Sequence, residues 1–269
     1  MELSGKVVFI TGGAQGLGKA YTEALLEKGA QVFFGDVNAV MGAETLKELQ
    51  EKYGAKNVRF AAFDVTNHQQ FQDAFTQAVS EFGHIDIMVN NAGIMNEGSW
   101  QLMININVTS VVFGTQLAIE HMRKDQGGRG GRIINISSIA GLKDLPTLPV
   151  YCATKHAVRS YTSSLALQYD LAALGVEFGI LCPEAAATDL ILKLDSDKIH
   201  FFDKVKETIE ENTMPVSTVV DAFLELVQLE KMNNAILLVQ KDGKTYQKME
   251  YHQVSPPGPS KDNSPTQSH

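Results

Sequence analysis

The chain has 269 residues, 44% of them hydrophobic and 20% charged, a balance that supports a sizeable core and excludes fibrous or wholly disordered classes. Its net charge of −8 weighs against nucleic acid or an anionic membrane surface as partners, because both demand a cationic footprint. No run reaches about 18 consecutive apolar residues, and the start MELSGK lacks the basic and apolar regions of a secretory leader, so a cytoplasmic protein with no membrane span is expected.

Short apolar runs at 7–10, 32–34, 58–63, 85–89, 133–136, 176–181 and 235–239 read as strands. Most are continuous rather than alternating, which implies burial on both faces, as in a parallel sheet. Helical patterns at 20–27, 39–52, 69–81, 110–124 and 150–174 separate them, each long enough for a right-handed crossover. Together they predict one α/β domain over 1–254, a doubly wound parallel sheet of about seven strands with helices on both faces. Residues 126–131, a glycine-rich stretch, read as a loop inside that domain. From 255 to 269 the sequence is rich in Pro, Ser and charge, and a disordered tail is expected.

Cys152 and Cys182 belong to no CxxC or Cys/His cluster, so no metal site is expected, and a cytosolic pair stays reduced. The glycosylation patterns at Asn107 and Asn135 read as chance matches, since a cytoplasmic protein is expected.

Thr11-Gly12-Gly13-Ala14-Gln15-Gly16-Leu17-Gly18 follows the first strand and opens the first helix. Glycines let the backbone turn sharply and approach a ligand, and open N–H groups at a helix start favour phosphate. The spacing Gly12-x-x-x-Gly16-x-Gly18 departs from the usual G-x-G-x-x-G, and a turn of this kind can also serve packing alone. Asp36 ends the second strand about 20 residues on, where a carboxylate accepts from ribose hydroxyls and repels a 2′-phosphate. That combination predicts NAD rather than NADP, although Asp36 could instead cap the helix that follows. Lys19 is the one nearby cation that speaks for NADP. Asp64, Val65, Asn91, Ala92 and Gly93 fall at the ends of the third and fourth strands, on the same carboxyl edge, and are expected at the cofactor. Asp64 could equally cap a helix, and the neighbouring Asn90 could hold two strands together without touching ligand.

Ser138 leaves the fifth strand, and Tyr151 and Lys155 follow four residues apart, on one face of a helix. Phenol is too weak a base at neutral pH unless positive charge favours its anion. Lys155 and a cationic nicotinamide ring supply such charge, so Ser138 can hold a substrate oxygen while Tyr151 removes its proton. Lys155 also has three donors for ribose hydroxyls.

TGGAQGLG, Asp64-Val65, NNAG, the Asn of INVTS, Ser138 and YCATK together resemble the short-chain dehydrogenase/reductase family over residues 5 to about 190. The pattern is similar to the branch holding 15-hydroxyprostaglandin dehydrogenases and insect alcohol dehydrogenase-like proteins. The resemblance implies a Rossmann sheet, a homodimer or homotetramer, and NAD-linked oxidation of a secondary alcohol, sometimes lipid-like. It implies that Asn107 joins Ser138, Tyr151 and Lys155 as a tetrad, helping Lys155 hold a proton-relaying water. An NADPH-linked carbonyl reductase, or a dinucleotide-binding protein without turnover, are the competing readings.

After the sixth strand the family has Pro-Gly and then Thr, whereas this chain reads Pro183-Glu184-Ala185-Ala186-Ala187-Thr188. Pro183 and Thr188 are expected beside the nicotinamide carboxamide. Glu184 either adopts a negative φ and faces solvent or caps a helix, or it carries strain and tunes the cofactor site. Residues 185–214 are expected to cover the substrate, with Leu190, Ile191, Leu192, Leu194, Ile199, Phe201 and Phe202 giving an apolar face. Leu148, where some relatives are polar, and Ala185 would touch the substrate, with Met95 and Trp100 as an opposite wall.

Overall fold

Eight strands form one sheet: β1 (Val7–Thr11), β2 (Gln31–Asp36), β3 (Val58–Ala62), β4 (Ile87–Asn90), β5 (Gly131–Ile136), β6 (Val176–Pro183), β7 (Ala235–Gln240) and β8 (Gly243–Tyr246). Their order is β3-β2-β1-β4-β5-β6-β7-β8, all parallel except the β7–β8 pair. These elements come from a computed structural model that describes residues 1–250 apart from 169, 170 and 172; the expected tail lies outside the described residues. The eighth strand exceeds the expected seven. Its four residues, GKTY, are all exposed, so no apolar run marks it, and it exists only by pairing back across a two-residue turn onto β7.

Side chains alternate across the pleat, and both faces are buried. Val8 and Ile10 enter one core with Tyr21 and Leu25 of α1 (Gly16–Glu27), Leu49 of α2 (Ala39–Tyr53) and Phe223 and Leu226 of a C-terminal helix, Val216–Gln228. Val7 and Phe9 enter the opposite core with Phe71 and Phe75 of α3 (His68–Phe82), Leu117 and Ala118 of α4 (Ser110–Met122) and Leu165 of α5 (Pro149–Ala166). The helix expected over 150–174 therefore begins one residue early and closes at Ala166.

By composition the helical run Glu97–Met122 is long and apolar enough to cross a bilayer. Leu117, Ala118, Ile119 and Met122 within it are buried in the core, which accounts for the apolarity.

β1 pairs with β2 on one side and β4 on the other, so the strand order reverses beside it. Ligands of open α/β sheets bind outside the carboxyl ends of the strands at such a reversal. Residues 185–214 form an excursion pinned at its base: Met214 donates to the Ala185 carbonyl at 2.9 Å, and Ala187 donates to the Met214 carbonyl at 3.0 Å.

Candidate active site

The glycine turn is built for close approach. Gly16 has φ +55°, and a Cβ on Gly18 would sit 2.0 Å from the Gly12 carbonyl oxygen, so no larger residue closes the helix onto the turn. Gln15, ahead of α1, makes no side-chain cap, and the first turn carries no acid, which leaves its N–H groups open to an anion. Leu17 is partly buried against the core below. A cleft of about 440 Å³ opens here, lined by Gln15, Gly16, Met41, Thr45, Thr188 and Leu192 among others. A Cβ on Gly16 would lie 3.6 Å from the Thr188 side chain, so the exit of β6 meets the turn.

Asp36 fastens this cleft from the side. Its Oδ2 accepts from Ala14 N at 3.1 Å and its Oδ1 from Asn38 N at 3.0 Å, while Asn38 itself caps α2. Lys19 is engaged by Glu48 at 2.6 Å, so its charge is partnered within the cleft. Asp64 organises its own turn, accepting from the Thr66 N–H and hydroxyl, both at 2.8 Å. The cap of α3 is Asn67, not Asp64, and Val65 is buried beneath the turn.

Two neighbouring asparagines divide the work. Asn90 is buried and donates to Asn135 Oδ1 at 2.8 Å and Thr115 Oγ1 at 3.1 Å, holding β4 to β5. Asn91 donates to the carbonyls of Thr11 and Gly12, both at 3.0 Å, and so holds the glycine turn. Ala92 N donates to Thr11 Oγ1 at 3.1 Å. A Cβ on Gly93 would lie 3.4 Å from Asn107 Oδ1 and 3.6 Å from Lys155 Nζ, so those two groups flank one small volume.

Ser138, Tyr151 and Lys155 meet at the ends of β5 and β6. Ser138 Oγ donates to the Pro183 carbonyl at 3.3 Å and faces the Tyr151 hydroxyl. Lys155 Nζ donates to the Ile136 carbonyl at 3.1 Å and lies 5.6 Å from the Tyr151 ring centroid. Burial pushes the Tyr151 phenol up to about 12, opposed by the Ser138 hydroxyl, and pushes Lys155 down to about 8. In the protein alone burial shifts each group toward its neutral form, with Lys155 still largely an ammonium at pH 7, and desolvation opposed by Ser138, not the Lys155 charge, governs Tyr151.

Asn107 lies in a π-helical turn, Asn105–Thr109, just before α4. Such turns widen the helix and recur at functional positions. Its Oδ1 accepts from Ile94 N and its Nδ2 donates to Ile94 O, both at 2.9 Å, with a further donation to Thr154 Oγ1 at 3.2 Å. The side chain therefore anchors the loop at Ile94, beyond the end of β4, to the helix carrying Lys155.

An apolar wall surrounds Tyr151: Leu148, Met95, Met103, Leu194 and Ile199 are buried in one cluster, with Ile191 and Phe202 packed against it. Leu190, Leu192 and Phe201 instead face outward, and Trp100 is 47% exposed and outside the cluster, so the wall is narrower than expected. The Ala185 carbonyl is occupied by Met214.

Glu184 takes a negative φ: among the described residues only Phe201 and Asn234 are positive without being glycine. Its N–H donates to the Val239 carbonyl at 2.9 Å and its Oε2 accepts from Gln240 at 3.2 Å. It continues the β6–β7 pairing and caps no helix.

Sequence reasoning misses Glu97. Its carboxylate accepts from Tyr151 N at 2.9 Å and Val150 N at 3.1 Å, and so caps α5. The available signal is Pro149 preceded by Leu148, a helix start with no local capping side chain.

A phosphate-ready turn at the strand reversal, facing a buried Ser–Tyr–Lys cluster under an apolar wall, defines a dinucleotide-type oxidoreductase. The short chain dehydrogenase family model matches residues 6–199, and the chain belongs to that family. It is 37% identical to the rat (Rattus norvegicus) 15-hydroxyprostaglandin dehydrogenase [NAD(+)] over 245 residues, 89% of this chain and 92% of that protein. It is 36% identical to a diacetyl reductase [(S)-acetoin forming] of Staphylococcus epidermidis over 209 residues, 75% of this chain and 79% of that one. A short chain dehydrogenase/reductase from Burkholderia phymatum, solved with NAD, shares the fold at a TM-score of 0.78 with 24% identity, covering 88% of this chain and 90% of that one.

Proposed function

We propose that the protein oxidises an apolar secondary alcohol to a ketone with NAD, in the cytosol, and that hydroxylated lipids such as prostanoids are the substrate class. The observation that carries this reading is the Tyr151 hydroxyl, buried opposite Ser138 and walled by Leu148, Met95 and Leu194. Similarity to the rat prostaglandin enzyme over most of both chains points the same way.

The glycine turn, the open first turn of α1 and Asp36 fit a dinucleotide, and Asp36 with the Glu48-bound Lys19 favours a 2′-hydroxyl over a 2′-phosphate. When bound, the nicotinamide supplies the hydride acceptor. Ser138 Oγ holds the substrate oxygen, and Tyr151 takes the hydroxyl proton as hydride leaves the same carbon. Lys155 stabilises the phenolate through space and offers its remaining donors to ribose hydroxyls. Asn107 keeps the Gly93–Ile94 loop and the Lys155 helix in register. The buried apolar wall excludes water, which strengthens each of these electrostatic effects.

The test is a panel of prostanoid, retinoid, steroid, terpenoid and short alkyl alcohols followed by NADH absorbance. Apolar secondary alcohols are expected to turn over, and Tyr151→Phe is expected to keep NADH binding while losing turnover. Preference for small polyols would overturn the substrate class, and faster NADPH-driven ketone reduction would overturn the cofactor and direction.

A further inference from the structure

Glu97 has no part in the chemistry above, yet it is a carboxylate only 6% exposed, beside the active site. Burying a charge is costly unless donors compensate it. Here the donors are the N–H groups of Val150 and Tyr151, taken one by each carboxylate oxygen. α5 begins with Pro149, which has no N–H, and its cap residue Leu148 supplies no side-chain acceptor. The helix that presents Tyr151 and Lys155 therefore depends on a residue 54 positions upstream for its N-terminal closure. A carboxylate there also complements the positive end of the helix.

The main chain of the same residue is engaged elsewhere. Glu97 N donates to the Lys198 carbonyl at 2.8 Å, and His200 N donates to the Thr147 carbonyl at 3.3 Å. The substrate-covering excursion is thus strapped to both flanks of the α5 start. Ile199, between the two straps, is buried in the cluster that contains Tyr151 and Leu148. Glu97 consequently links the covering segment through its backbone and the Tyr151 backbone through its side chain.

We infer that Glu97 is a positioning residue, fixing the Tyr151 hydroxyl relative to the substrate cover by holding the first turn of α5. This rests on Tyr151 being the proton acceptor. Loss of the tether lets the helix start fray, and a misplacement of about 1 Å at a reacting group costs on the order of 100-fold in rate.

The experiment compares wild type, Glu97→Ala and Glu97→Gln, with kcat expressed per NADH-binding site and amide exchange followed over residues 148–153. Glu97→Ala is expected to lower kcat by about 10–100-fold, with the NADH dissociation constant within about twofold and faster exchange at Val150 and Tyr151. Glu97→Gln retains one carbonyl acceptor and is expected to recover most of the loss, a rescue that a general folding role would not produce. Unchanged kcat per site in Glu97→Ala, or a loss that merely follows the number of NADH-binding molecules, overturns the inference. Should Glu97→Ala fail to fold, Glu97→Met, which keeps the side-chain volume but removes both acceptors, decides: a fall of about tenfold or more per site with faster exchange supports it, and wild-type values overturn it. Wild type inactive on every alcohol defeats the proposed function instead, while the exchange measurement still reports on the tether.

Discussion

Lys155 Nζ lies 5.6 Å from the centroid of the Tyr151 ring, and neither group gains a full ionic partner from the protein in that arrangement. The pair is poised toward neutrality: a phenol held high and an amine held low.

The first consequence is a pH dependence with a definite sign. Oxidation needs the Tyr151 anion, and burial sets the phenol near 12, so the reactive fraction grows as pH rises toward that value. The nicotinamide charge lowers the value without reversing the trend. kcat/KM for alcohol is expected to climb from pH 6 to 9, whereas ketone reduction, served by a phenol that stays protonated throughout, is expected to be nearly flat over the same range. A flat or declining oxidation profile would contradict this assignment of the base.

The second concerns stability. Lys155 titrates near 8 in the fold against an ordinary lysine value of 10.5, so between those values the unfolded chain binds the extra proton. Stability therefore rises with pH across that window, and below it the buried ammonium is a constant cost. Lys155→Met is expected to stabilise the fold at pH 7 by roughly 1–3 kcal/mol, allowing for the lost bond to the Ile136 carbonyl, with the gain fading above about pH 10. Urea unfolding at pH 7 and 10 measures both; a destabilised variant at pH 7 would refute it.

Cofactor choice should respond to the two carboxylates of the cleft. Asp36→Ser combined with Glu48→Gln removes one repulsive charge and frees Lys19. The double variant is expected to use NADP at least about tenfold better relative to NAD, since juxtaposed like charges cost several kcal/mol. Glu48→Gln alone should shift the ratio by about threefold or less, because exposed ion pairs are weak. Ratios of kcat/KM for the two cofactors report the change, and an unmoved ratio in the double variant rejects Asp36 as the discriminator.

Glu184→Gly restores the residue that the family pattern has after its proline. With φ already negative and the side chain bonded to Gln240, the glycine relieves no strain. Stability is expected to drop by about 0.5–1 kcal/mol through backbone entropy. NADH affinity and turnover are expected to stay within twofold, and a larger change in either would place Glu184 at the cofactor after all.

Most strands and the glycine turn are legible because their signals are local: apolar runs of strand length, and glycines where the chain must bend within a few residues. Tyr151 and Lys155 are legible for the same reason, being one helical turn apart. Glu97 is not, because its partners lie 53 and 54 residues away and its meaning exists only after folding. β8 escapes because its residues are polar and exposed, and its pairing partner supplies all the order. Trp100 misleads in the opposite way: a large aromatic near the site suggests a pocket wall, but the short helix Trp100–Ile104 turns it outward. Glu184 left two conformations open in the sequence, and the β7 ladder chose between them.

The amide pair Asn90 and Asn135 faces across β4 and β5, and Asn135 extends the chain of bonds to Thr162 at 2.8 Å. Around it the two strands are nearly interchangeable in shape, with Met88, Val89, Ile133 and Ile134 all fully buried. Oil alone would tolerate sliding one strand along the other by a residue. The amides would not, because each polar group stranded in that interior costs about 1–3 kcal/mol. A mispaired collapse is thereby made unstable at the moment the central strands dock, so the polar pair acts as an alignment mark for assembly, set apart from any chemistry at the sheet's edge.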